Sequence, residues 1–134
     1  MAARASGKAK KTGANRPKLP HIAEDMKQWS AMLGQELSTW PHVKSRPMFG
    51  LLAFYRRAKI FAGVPVTRGL KTSSSIIFKI PSIPPDLLRH ATQDPRIDTE
   101  SKLPGTRWYS FEVASAKDLR DALWWMNQAY ERAK

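Results

Sequence analysis

Apolar residues recur along this chain with changing periods, and each period predicts a different element. Ile22, Met26, Trp29, Leu33 and Leu37 fall three or four residues apart. That spacing lines one stripe of a helix over residues 22–38. Gly34 weakens this helix by about 1 kcal/mol relative to alanine. Trp40-Pro41 ends it, because the residue before a proline is pushed out of the α region.

From residue 43 the chain turns to β-branched and aromatic residues. Residues 43–56, 59–64 and 74–80 read as strands. Gly50 divides the first stretch, which is either two strands or one bent strand. Arg56-Arg57-Ala58 reads as a hairpin turn without the Gly or Asn that tight turns prefer, which predicts a looser loop or some strain. Residues 65–73 read as a loop. Pro84-Pro85-Asp86 opens a short helix to about residue 92, since proline suits a first turn, and Pro95 closes it. Residues 96–105 read as irregular, with room for a short strand. Alternation returns over residues 107–113, with Tyr109, Phe111 and Val113 on one face and Trp108, Ser110 and Glu112 on the other.

The final helix has the clearest start, where Ser115 and Asp118 are spaced as a capping box with Asp in place of Glu. Leu119, Ala122, Leu123, Met126, Tyr130 and Ala133 form its apolar stripe. Trp124 falls opposite that stripe and Trp125 on its flank. Helices at both ends and hairpin-sized connections between the strands predict an α+β fold. Its antiparallel sheet would be covered on one face by the N- and C-terminal helices.

Composition sets the size of this unit. The 134 residues fit one domain. An apolar content of 42%, with five Trp, five Phe and three Tyr, suffices for one core. Residues 1–19 differ: they are small, basic and broken by Gly and Pro, which predicts a disordered tail ahead of a domain at 20–134. The absence of cysteine excludes disulfides, thiolate nucleophiles and cysteine-bound metals. No run reaches the roughly 18 apolar residues of a membrane helix, and no apolar segment follows Lys11 as a secretory leader requires. A cytoplasmic protein without a membrane partner is expected.

Charge adds a candidate partner. Of a net +12, six positive charges come from Arg4, Lys8, Lys10, Lys11, Arg16 and Lys18, with no acid among residues 1–19. Such a balance favours phosphates and anionic surfaces. Arg46, Arg56, Arg57, Lys59, Arg68 and Lys71 gather around the predicted hairpin and the loop after it. With Lys8, Lys10, Lys11, Arg16 and Lys18 of the tail they are the candidate nucleic-acid contacts. The competing reading of Arg56 and Arg57 is that turn charges keep a sheet edge from aggregating. Trp108 and Trp124 lie off the core stripes and are candidates for a protein interface or for base stacking. Alternatively, the tryptophans fill the boundary between helices and sheet.

Catalytic and metal motifs are weak. Gly63 to Thr72 has five residues between its glycines, and Leu70 separates Gly69 from Lys71. A strand follows where a phosphate-binding loop needs a helix. Asp86, His90 and Asp94 share a helix face by spacing, but Pro95 makes Asp94 a helix-end residue. Glu112 lacks an evident partner carboxylate. Ser73-Ser74-Ser75 has no nucleophile elbow. No enzyme activity, metal or cofactor is expected.

Several motifs together resemble the N-terminal domain of TfoX-type proteins: Arg46-x-Met48-Phe49-Gly50, Phe54-Tyr55, Lys59-Ile60-Phe61-Ala62, Ile77-Phe78-Lys79, Trp108-Tyr109 and Ala129-Tyr130-x-x-Ala133. The match spans about residues 26–133. The Lys-Ile-Phe-Ala and final-helix segments are also similar to MmcQ/YjbR-like proteins. The resemblance implies a small two-layer fold with an antiparallel sheet, called secretion-chaperone-like, in a bacterial protein. It departs at Ala58, where glycine is usual, and in the long loop after Pro65. These motifs are mostly core and turn positions, so the resemblance implies little about activity; with the catalytic motifs weak, a binding or regulatory domain is expected, with an unknown protein partner first and nucleic acid as the alternative.

Overall fold

The computed structural model describes residues 21–99 and 107–134. The predicted tail, with Lys8, Lys10, Lys11, Arg16 and Lys18, lies outside the described residues, as does much of the segment read as irregular. The elements are α1 (Glu24–Ser38), β1 (Val43–Met48), β2 (Leu51–Arg56), β3 (Lys59–Pro65), β4 (Ser75–Lys79), α2 (Pro85–Gln93), β5 (Ile97–Asp98), β6 (Trp108–Glu112) and α3 (Leu119–Glu131). A 3-10 turn, Ala116–Asp118, leads into α3. The class is α+β. Among the described residues no helix is long and apolar enough to cross a membrane.

The first helix begins two residues later than the apolar spacing predicts. Residues 21–23 instead run along the loop after β3, where His21 bridges Arg68 and the Ala23 N–H donates to the Ser73 carbonyl at 2.9 Å. Ile22 therefore reaches the core from an extended lead-in.

All strand pairs are antiparallel, in the order β1-β2-β3-β4-β6-β5. Gly50 separates two strands rather than bending one. Phe49 and Gly50 form a two-residue turn with φ of +49° and +87°, the left-handed pair that matches strand twist. A Cβ on Gly50 would also stand 2.9 Å from the Thr67 hydroxyl. The β2–β3 turn is tight, not loose: Arg56 pairs with Lys59, and Arg57 takes a φ of +57°. The strain expected of a turn lacking Gly or Asn is present there. Further along, Ala62 faces Phe54 while Ile60 faces Tyr55, so Phe61 is the extra residue of a bulge. Its ring lies 5.5 Å from that of Tyr130 and 6.3 Å from that of Trp40.

The helices cover one face of the sheet. Phe54, Phe78 and Phe111 of that face meet Met26, Leu33 and Leu37 of α1 and Met126 of α3 in one core. Trp125, expected on the flank of α3, is 1% exposed and stacks on Phe78 at 5.5 Å, whereas Leu123 is only half-buried. Ala122 and Ala129 explain the difference. They lie three residues before and four after Trp125, and their small side chains let the indole reach the sheet. Trp124 remains 42% exposed, with the His90 ring 5.2 Å from each of the two indoles.

Arg96 ties the far edge of the sheet to α3. Its guanidinium bonds Asp94 at 2.8 Å, Asp118 at 3.0 Å and Asp121 at 3.1 Å, and lies 4.6 Å from the centre of the Phe111 ring. The Arg96 hydrogen bond holds the Asp94 carboxyl below its usual range. Burial pushes the Asp118 carboxyl up, but backbone N–H donors from Ala114 and Ser115, together with Arg96, bring it below its usual range overall. The capping box predicted for Ser115 and Asp118 is present.

Candidate nucleic-acid interface

The six basic residues grouped by sequence do not form one surface. Lys59 opens β3 and Arg68 follows its end, and a strand of this length separates them by about 20 Å. Arg46 projects from the middle of the exposed edge strand β1, 5.9 Å from the Tyr55 ring centre. Arg56 turns toward the helices. It donates to the Tyr130 carbonyl at 2.9 Å and lies 4.3 Å from the centre of that ring. Lys71 pairs with Asp98 at 2.7 Å, and Arg68 lies on the bridge to His21. Arg57 and Lys59 are exposed at the β2–β3 turn.

That turn is part of a larger cationic end which sequence adjacency does not reveal. Lys59 from β3, Lys79 from β4 and Arg132 just past α3 line one cleft of about 400 Å³, with Ile60 and Pro81 in its lining. Arg57 stands in the same turn as Lys59. Arg107 joins them because β6 pairs with β4: Lys79 lies opposite Trp108, and the Ile80 N–H donates to the Arg107 carbonyl at 3.1 Å. Among the described residues, Arg57, Lys59, Lys79, Arg107 and Arg132 take part in no ion pair. Arg132 is positioned by bonds to the Gln128 carbonyl and side chain at 3.0 and 3.1 Å. The C-terminus of α3 opens on the same cleft and carries about half a negative charge, which the surrounding cations outweigh.

Trp108 borders this end. Lys79 Nζ lies 5.9 Å from its ring centre. The indole faces away from the helices, since its neighbour Tyr109 stacks on Phe78 within the core face. Burial there raises the Tyr109 pKa. Trp124 belongs to the helix layer, so the two tryptophans named as interface candidates stand on opposite sides of the sheet. Sequence reasoning missed Phe49, which is 87% exposed at the β1–β2 turn. A turn position rather than a strand position was the available signal.

Residues of the weak catalytic motifs have partners within the fold. Glu112 accepts a hydrogen bond from the Thr72 hydroxyl. Asp86 pairs with Arg89 at 3.1 Å, Asp94 is held by Arg96, and His90 packs against tryptophan. No potential metal cluster occurs among the described residues. In the glycine-containing loop, the N–H groups of Val66, Thr67 and Arg68 all point at the Gly50 carbonyl, at 2.9, 2.9 and 3.5 Å. They are therefore spent within the fold rather than offered to an anion. No family model, curated protein or solved structure matches this chain.

Proposed function

We propose that the protein is a non-enzymatic binding domain that takes up nucleic acid at its cationic end. Phosphates would contact Arg57, Lys59, Lys79, Arg107 and Arg132, and a base would stack on Trp108. The observation that carries this reading is an open cleft lined by Lys59, Lys79 and Arg132, with Arg57 and Arg107 near it and an indole beside Lys79, none of the five cations being ion-paired among the described residues. Single-strand binders combine these two features, a basic track for the backbone and aromatic faces for the bases. We further propose a TfoX N-terminal type, and with it a bacterial, cytoplasmic setting. Its support is the motif set from Arg46 to Ala133, which falls on β1–β4, β6 and α3.

The test is fluorescence anisotropy of the full chain with a labelled single-stranded oligonucleotide across about 50–200 mM salt. About five phosphate contacts give a log–log slope near −3.5, and Lys79→Ala reduces its magnitude by about 0.7. If the combined Lys59→Ala, Lys79→Ala, Arg132→Ala variant binds like the wild type, the cationic end is not the site. If binding is lost only when Lys8, Lys10 and Lys11 are neutralised, the tail alone is responsible.

A protein partner is a second reading, favoured by Phe49. An aromatic side chain this exposed, in a strained turn position, fits a contact residue better than a folding residue. Phe49→Asn removes the ring while suiting the left-handed turn. A partner that binds both forms equally does not use this surface.

A further inference from the structure

We infer that a groove between α1 and the sheet is a binding site for a small amphipathic monocarboxylate. The groove has a volume of about 440 Å³ and shares no residue with the cationic cleft. Ala31 and Gly34 of α1 form one wall, and Leu52 of β2 and Val64 of β3 form the other. Its size and mainly apolar lining fall within the range of small-molecule sites.

Ser30 supplies the second, independent observation. It is 5% exposed, lines the groove, and its Oγ has no hydrogen-bond partner among the described residues. A buried hydroxyl left unsatisfied is costly; this one is closed to water, so a ligand oxygen satisfies it once the Ser30 side chain turns toward the groove. Lys27 stands one helical turn before Ser30 and also lines the groove. Residues three apart on a helix are neighbours, so the ammonium and the hydroxyl converge on one anionic group. The Lys27–Glu24 contact, 3.5 Å between exposed side chains, is a surface pair of little strength and leaves the ammonium available. A carboxylate at Lys27 and Ser30, with an alkyl body along Ala31, Gly34, Leu52 and Val64, matches the charged end and the apolar walls of the groove, with Gln35, Ser38 and Val66 completing its lining.

The wall at Gly34 has room for one methyl group. A Cβ there would meet Phe54 at 3.5 Å and Leu52 at 3.9 Å, which is ordinary contact. Gly34→Ala therefore narrows the groove while improving the helix, and Gly34→Leu fills it.

The experiment is a titration of the full-length protein with sodium octanoate, followed by amide chemical shifts, with octylamine and octanol in parallel arms. Octanoate is expected to move the amides of Ser30, Ala31, Gly34, Leu52 and Val64 saturably. Lys27→Gln and Ser30→Ala each weaken it by about fivefold. Gly34→Leu abolishes it, and Gly34→Ala weakens it while raising Tm, which keeps the test decisive if the leucine variant misfolds. Ser30→Ala leaves Tm unchanged or higher, because the free protein gives that hydroxyl nothing to bond. The inference is overturned if octanoate produces no saturable shift at these residues, if octylamine binds as well, or if Ser30→Ala lowers Tm. Loss of oligonucleotide binding in the cationic-cleft variants leaves these readouts unaffected, so the two sites fail separately.

Discussion

At the scale of single residues, backbone strain and side-chain role are separable. Arg57 holds a left-handed φ of +57° where a tight turn demands it, and a side chain in that region costs about 1–2 kcal/mol. Arg57→Gly is expected to raise stability by about 1 kcal/mol in urea unfolding, while weakening oligonucleotide binding if the guanidinium contacts phosphate. The two adjacent tryptophans also separate. Trp125→Ala empties the core beside Phe78 and is expected to cost about 3–5 kcal/mol. Trp124→Ala removes a partly exposed ring packed at a tilt near His90, with an expected cost below about 1.5 kcal/mol. Periodicity alone placed Trp124 outside the core correctly. It put Trp125 on the flank because the alanines that make room for it carry little apolar weight in a pattern count.

At the scale of elements, the joint between β5, β6 and α3 rests on charge. Asp94 and Asp118 have folded-state pKa values lowered by Arg96 and backbone donors. A lowered carboxyl pKa contributes stability that is present above the unfolded value. That stability is lost as pH falls through the folded value. Wild-type stability is therefore expected to decline below about pH 4, and Arg96→Leu should flatten that decline. Arg96→Leu is also expected to cost about 2 kcal/mol at neutral pH, because it leaves three carboxylates without their shared partner. Urea unfolding midpoints measured from acid to neutral pH check both statements. The capping box was legible from Ser115 and Asp118 three residues apart. The role of Arg96 was not, because Asp118 and Asp121 reach it only after β6 pairs with β5.

At the scale of the molecule, charge is distributed by topology. One end of the sheet gathers Arg57, Lys59, Lys79, Arg107 and Arg132, while at the other Lys71 is balanced by Asp98. A paired reversal, Lys59→Glu with Lys79→Glu, is expected to lower oligonucleotide affinity at low salt by more than about tenfold. The same reversal at Arg68 and Lys71 should change it far less. Equal effects from both pairs, read by anisotropy, would mean that only net charge matters and that the cationic end has no special role.

The sequence by itself determined the broad order of elements, the cap of the last helix, the place of the β2–β3 hairpin and most of the core stripes. These depend on residues within a turn or two of each other, where helical and strand periods, proline geometry and capping act. Tertiary structure alone decided which basic residues share a surface, because that depends on which strands become neighbours. Placing β6 between β4 and β5 brings Arg107 to Lys79, and packing α3 across β3 and β4 brings Arg132 to Lys59. The same packing took Arg56 out of the group by turning it onto Tyr130. It also set Trp108 and Trp124 on opposite sides of the sheet, and the packing of α1 on β2 and β3 left Ser30 at the lining of a groove. Non-local pairing and the shape of packed side chains leave no period along the chain, so these features required the fold to appear.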